Sequence, residues 1–410
     1  MSERMRSNGK ATGSETADVV IIGGGVNGMS TAFQLAKRGV RKVVVLERRQ
    51  LGAGATGKSG ALVRCHYANV HESMLTLESL RIFRHWGDEV GHGDSGFDPI
   101  GFVQVVSASD ADKLRANVAA QQAIGVDTHL VDAAQLREID PLINTDDLTV
   151  AAWEPNSGYA DPNATLYGFA AAAEARGVSI RTETPALAVV RDGDRVAGVR
   201  TPHGTIATEA VLVAAGSWAN DLLRPLGLAW GMEPVRTQVA IFRWPRALEG
   251  RRRHPVIIDA IHHSWLRPEG KFATLIGAER GVLDADLDAF DETLDARVIP
   301  ISRDALAARL PVFANATMRG GWSGTFMRSA DGHPIIDQVP TVPGLWVMAA
   351  DNGSSFKTAP ATGVCLAEWI VDGAPKLVDL TPFRSSRFDE DQPWIDPHAY
   401  GDDRRLTVSR

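Results

Sequence analysis

The sequence has 410 residues, 44% hydrophobic and 23% charged, enough to bury a large core in two or three domains. Its formal charge of −7, with lysines and arginines scattered, argues against a nucleic-acid surface, and no apolar run approaches the length of a membrane span. The only two cysteines, Cys65 and Cys365, cannot form a disulfide framework or a zinc site by themselves, and they read as reduced thiols in a cytoplasmic protein. Residues 1–16 are polar, lack the apolar stretch of a signal peptide, and are expected to form a disordered leader.

Next comes the strongest pattern in the chain. Four apolar residues, Val19–Ile22, form a buried parallel strand bounded by glycines. Gly23, Gly25 and Gly28 have the G-x-G-x-x-G spacing: a tight turn, close backbone approach to a pyrophosphate, and close helix–strand packing. A helix over 29–37, stopped by Gly39, aims its positive end at the phosphates. A second apolar strand, Val43–Leu46, ends in Glu47, where an acid takes a ribose 2′-hydroxyl and repels a 2′-phosphate. The competing reading is a glycine turn with no nucleotide. Residues 52–62 form another glycine-rich run, suited either to lying along more cofactor or to serving as a flexible linker.

A helix is expected over 71–86, then a strand at 102–106. Ser109 and Asp132 are candidate N-caps for helices over 109–123 and 132–136. A strand at 149–153, a turn-rich segment and an alanine-rich helix over 164–176 follow, then strands at 178–182, 186–191 and 196–201. Asp192 and Gly193 mark a hairpin between the last two. Residues 210–223 repeat the strand, glycine turn and helix start, with Gly216 at the turn. Strands alternate with turns over 233–325, with a helix at 303–309. The last unit is a strand at 345–350, a loop over 351–357 and a helix over 361–372. The polar tail over 376–410 is expected to strap the surface or to be partly disordered.

Nucleotide-domain features thus occur at the start, the middle and the end. That order predicts an α/β plus α+β fold, a Rossmann-like domain (17–98, 155–232 and 326–375) interleaved with a mixed-sheet substrate domain (99–154 and 233–325).

The glycine motif with Glu47, the loop over 57–64, the segment 211–218 and the segment 352–360 together resemble the flavin-dependent amine oxidoreductases of the D-amino-acid-oxidase and sarcosine-oxidase type. The likeness covers nearly all of residues 17–375 and is nearest to sarcosine oxidases, including the β subunit of the multi-subunit kind. It implies FAD as cofactor. Gly23, Gly25, Gly28 and Glu47 are assigned to its ADP half, with Val26, Asn27 and Arg48 beside them. Val189 is assigned to the adenine through its backbone, and Gly216, flanked by Ala215 and Trp218, to the pyrophosphate region. Backbone of Ser59, Gly60, Ala61 and Leu62 takes the middle of the cofactor, and Gly353, Ser354, Ser355, Phe356 and Lys357 face the flavin. Fixed donors or a lysine there stabilise the charge that reduction creates.

Arg64 is assigned to the substrate carboxylate, with Lys357 as its partner near the flavin. A guanidinium fork matches a carboxylate bidentately, and nearby cations lower the pKa of a substrate ammonium. The alternatives are an Arg64 paired with Glu72 or Glu78, and a Lys357 facing solvent. His66, His262, His263, Trp265, Arg267 and His333 are candidates for the substrate pocket. Positions that carry covalent flavin in relatives fall on Ser323 and near Lys58, so non-covalent FAD is expected. The histidine that holds FMN in multi-subunit relatives falls near Ala164, so no FMN is expected. The oxygen-activating lysine falls on Thr274 or Leu275, with Lys271 at an exposed hairpin tip, which leaves oxygen or another electron acceptor open. No spacing predicts a metal site, and no motif predicts a hydrolase.

The resemblance thus implies FAD-dependent oxidation of the C–N bond of a small N-alkyl or primary amino acid, in a homo- or hetero-oligomer. Two other readings are a flavin dehydrogenase of a 2-hydroxy acid or glycerol phosphate, and an FAD-binding subunit of a larger complex.

Overall fold

Three sheets organise the chain; the computed structural model describes residues 15–401 except 249, 279–281, 284, 288 and 290. Val19–Ile22, whose four side chains are all buried, pairs in parallel with Val43–Leu46 on one side and Val211–Val213 on the other. Ser179–Arg181 and Leu345–Ala349 extend the sheet in parallel, and Ile335–Gln338 closes it antiparallel. Such runs, apolar on both faces, must be covered on both faces. The helices Val26–Lys37, Pro162–Glu174 and Ala359–Asp372 cover one of them.

A four-stranded sheet runs Glu15–Thr16, Gly204–Ala207, Arg195–Thr201, Ala188–Asp192. The hairpin at Gly193 forms as the turn residues require. Glu15 and Thr16 pair in parallel with Ile206 and Ala207, so sheet structure begins inside the stretch expected to be a disordered leader. Those two residues gain partners only after residues near 206 have folded back, which local composition cannot register. Residues 1–14 lie outside the described residues.

The third sheet is the mixed one. Its order is Val282–Leu283, Glu233–Arg243, Ala273–Ala278, Ser264–Glu269, Val256–Asp259, Phe102–Val105, Ala151–Glu154, His129–Val131, with Met318–Arg328 on the free side of Glu233–Arg243. It interleaves with the nucleotide-type sheet along the sequence. The long strand Met318–Arg328 stays paired through Arg328, two residues past the expected domain boundary at 326. Asp132 caps its helix with a full capping box, but the helix runs on to Ile139. Ser109 instead lies within a short 3-10 turn, and the helix begins at Ala111.

The tail is a strap. Val378, Leu380, Phe383 and Tyr400 are buried, and Arg387 forms a fully buried ion pair with Asp331. Among the described residues no helix is long and apolar enough to cross a membrane.

Candidate active site

The first glycine turn is fixed by contact. A Cβ on Gly28 would run into the carbonyl oxygen of Gly23, so strand and helix could not approach as they do. The Glu47 carboxylate closes over the same turn, accepting from the Gly24 N–H at 2.8 Å and from the Arg49 N–H at 2.8 Å. Thr56, in the second glycine-rich run, accepts from the Val26 N–H at 3.1 Å. That run is therefore a wall of the site, and Thr56 is a residue the sequence reading missed.

Two adjoining cavities of about 1210 and 1140 Å³ meet at this wall. The larger is lined by Gly23, Gly25, Val26, Asn27, Glu47 and Arg48 on one side. Ala215, Gly216 and Trp218 line the other, the Arg48 guanidinium stacking on the Trp218 ring at 3.9 Å. Gly28 lies beneath the turn. Val189 is not part of this lining: its side chain is in the core, and Pro185, Ala186 and Leu187 stand at the cavity instead. The three residues just before the strand Ala188–Asp192, rather than the strand itself, reach the opening.

Ser59, Gly60, Ala61, Leu62 and Arg64 line the second cavity from one side, and Gly353, Ser354, Ser355, Phe356 and Lys357 from another. Asn27 Nδ2 donates to Ser355 Oγ at 3.2 Å, joining segments 328 positions apart. The mixed sheet supplies the roof: Thr237 and Val239, Ile258, Trp265, Trp322, Thr325 and Phe326. Thr237 and Val239 are two apart on one strand and so share a face, a period-two signal that could have nominated them.

Arg64 is 2% exposed. Its guanidinium stands 4.5 Å from the Tyr67 ring centre and 5.7 Å from that of Phe102, while Nε and Nη1 have no hydrogen-bond partner. Glu72 instead pairs with His333, and Glu78 with Arg81. Lys357 is also buried; its Nζ donates to the Ser354 carbonyl at 3.0 Å and lies 5.2 Å from the Tyr67 ring centre. Lys58, the third cation on this lining, pairs with Glu292 at 2.6 Å.

The histidines sit elsewhere. His66 is buried behind Arg64, its Nε2 2.7 Å from the Tyr400 hydroxyl; burial and the Arg64 charge lower its pKa to about 3. His333 is packed between Glu72 and Asp396 and stacked on Trp394. His262 pairs with Asp147 toward solvent, and His263 is exposed. None of the four is on the cavity lining. Arg267 is not on it either: Nε donates to the Gly60 carbonyl at 2.6 Å and Nη1 pairs with Glu269 at 2.7 Å. Trp265, next along the strand face, packs so closely on Gly60 that a Cβ there would strike its ring. Thr274 is buried in hydrogen bonds with Trp244 and His254, and Lys271 is exposed on its hairpin. Among the described residues no cluster of three or more histidines, cysteines or carboxylates could hold a metal.

Unpartnered buried polar atoms mark the lining along its length: Trp218 Nε1 in the first cavity, Asn27 Oδ1 where the two join, Arg64 Nε and Nη1 in the second. Native interiors rarely leave such atoms unsatisfied. The arrangement offers an elongated ligand a helix N-terminus and an acid in one cavity and a buried guanidinium in the other.

Residues 18–369 match the model of the family described as FAD dependent oxidoreductase. The chain is 26% identical over 404 residues to human mitochondrial sarcosine dehydrogenase, covering 93% of this chain and 43% of that protein. It is 26% identical over 393 residues to sarcosine oxidase subunit beta of an Arthrobacter species, covering 93% of each. The chain spans less than half the length of the mitochondrial relatives it matches. Among solved structures, glycine oxidase from Geobacillus kaustophilus superposes with a TM-score of 0.79 at 25% identity, over 91% of this chain and 99% of that one. L-proline dehydrogenase from P. horikoshii superposes with a TM-score of 0.85 at 24% identity, over 93% and 100%, which shows a shared fold.

Proposed function

The chain belongs to the family of FAD-dependent oxidoreductases, and from that premise we propose that it oxidises the C–N bond of a small N-alkyl or primary amino acid to an imine. The observation that carries this reading is Arg64, a buried cation with unpartnered Nε and Nη1 at the roofed end of the cavity. An unpaired buried charge is costly, and a carboxylate ligand repays that cost with two parallel charge-assisted hydrogen bonds.

Bound FAD supplies the two-electron acceptor; the residues suited to its ADP half are Gly25, Val26, Glu47 and Trp218. Arg64 then holds the substrate carboxylate. The combined field of Arg64 and Lys357 favours the neutral amine, the form able to give up a hydride. Trp265, Trp322 and Ile258 put apolar surface on the roof of the cavity, where they would keep water from a bound substrate. A hydroxy acid would require a base for its hydroxyl proton, and the histidines nominated for that role are not on the lining, where Asp351 and the lysines Lys58 and Lys357 are the titratable groups. The likeness to sarcosine oxidase subunit beta favours the amine.

We further infer slow reaction with oxygen, which leaves room for another electron acceptor, since the expected lysine position falls on Thr274 or Leu275, both buried. The likeness to a protein named as a subunit supports assembly with a partner chain. The two buried, unbridged cysteines suit a cytoplasmic setting. Anaerobic mixing with a panel of N-methyl, cyclic and D-amino acids tests the reaction. Bleaching of the flavin by at least one amine is expected, and bleaching by hydroxy acids alone would overturn the assignment.

A further inference from the structure

Five residues line both cavities: Val26, Asn27, Ala55, Thr56 and Asp351. They form the waist of the channel. Val26 and Asn27 are the first turn of the twelve-residue helix Val26–Lys37, whose N-terminal end is positive. Asp351, which follows the strand Leu345–Ala349, is the one charged group at this waist.

Its Oδ1 accepts from the Gly353 N–H at 3.2 Å. Asp351 is half-buried, and desolvation by the chain around it pushes the carboxyl up to about 6, against the pull of the Gly353 and Met327 N–H groups. No other charge reaches it. In the nucleotide half, Glu47 is held by two backbone N–H groups and Arg48 lies on Trp218, with Arg49 and Asp221 further along the lining. In the other half Lys58 pairs with Glu292, Lys357 turns to the Ser354 carbonyl, and Arg64 lies against Tyr67. From the adjacent strand, Arg328 pairs with Glu233. Among the described residues Asp351 has no ion-pair partner.

We propose that Asp351 takes up a proton when FAD binds, so that cofactor affinity weakens as pH rises. The inference rests on the FAD assignment. Ionised, the carboxylate is an anion that shares the waist with the helix N-terminus, the seat that suits the anionic diphosphate of the dinucleotide. Two anions across the waist repel once the ligand displaces water between them, which raises the carboxyl's pKa further on binding. Protonated, Asp351 gains an O–H that can donate to an oxygen of the ligand. The sign follows from linkage: the bound state holds the extra proton, so removing protons from solution favours release.

The test is FAD binding to the apo-protein, read by quenching of flavin fluorescence from about pH 5.5 to 8.5, with calorimetry in two buffers of different ionisation heat. The dissociation constant is expected to rise with pH above about 6, by up to about tenfold per pH unit, the limit for one proton. Proton uptake should approach one per FAD. Asp351→Asn should bind more tightly at the alkaline end and lose the slope. A flat wild-type profile, absence of proton uptake, or an unchanged slope in Asp351→Asn would overturn the proposal. Should that variant not fold, the wild-type proton count decides alone. Failure to take up FAD at any pH would instead remove the cofactor assignment itself.

Discussion

Replacing Arg64 with methionine should move activity and stability in opposite directions. The Arg64 guanidinium is buried, with Nε and Nη1 unpartnered by any described residue. Exchanging a buried ionic group for an apolar one of similar volume is neutral or stabilising by about 1–4 kcal/mol. Against this stands the loss of the guanidinium's contact with the Tyr67 and Phe102 rings, about 0.5–2 kcal/mol. The balance is a thermal midpoint that holds or rises. Substrate binding goes the other way. Two charge-assisted hydrogen bonds to a carboxylate contribute ~1.5–3 kcal/mol each, so Arg64→Met should weaken affinity by roughly 10²–10⁴-fold. The assay is a spectral titration of the oxidised flavin with a carboxylate that lacks the amine, followed by anaerobic stopped-flow reduction. An unchanged dissociation constant in a folded, FAD-loaded variant would refute the carboxylate seat.

Gly28→Ala places a methyl against the Gly23 carbonyl and should leave a protein unable to retain FAD on gel filtration, even where circular dichroism shows it folded. Arg267→Ala removes the donor that holds the Gly60 carbonyl, so the loop carrying Ser59 to Leu62 should loosen. KM should rise more than kcat falls, and faster proteolysis near residue 60 checks the cause. Acid sensitivity should follow two buried histidines. Burial lowers His66 to about 3, with Arg64 adding to it, and lowers His254 to about 4. An unfolded histidine titrates near ~6.5, so between those values the unfolded chain binds more protons and stability falls on acidification. Urea midpoints should drop from about pH 6.5 toward 4, and His254→Gln should flatten the slope.

Much of the nucleotide half was legible because its signals are local. Val19–Ile22 and Val43–Leu46 appear within the expected bounds, since an apolar run between glycines has few other solutions. The turn at Gly23 to Gly28 and the acid at Glu47 are set by steric and charge constraints that act within thirty residues or so. Arg64 and Lys357 could be nominated from a resemblance. Nothing local says that they share a cavity or that Tyr67 lies against both.

Errors arose where a side chain's role depends on a distant partner. Glu15 and Thr16 are unremarkable until Ile206 pairs beside them. Arg267 looks like a pocket residue on an alternating strand, yet the Gly60 carbonyl, 207 positions away, captures it. His66 is close to Arg64 in sequence, yet its ring is held away from the cavity by Tyr400 from the tail. Asp351 gave no signal at all, because its place at the waist of the channel exists only once three segments meet. Sequence alone determined what could be decided by near neighbours: a glycine turn, a strand's two buried faces, an acid at a strand end. Tertiary structure decided which charges would be buried without a partner, because burial depends on what the rest of the chain brings to the opposite wall.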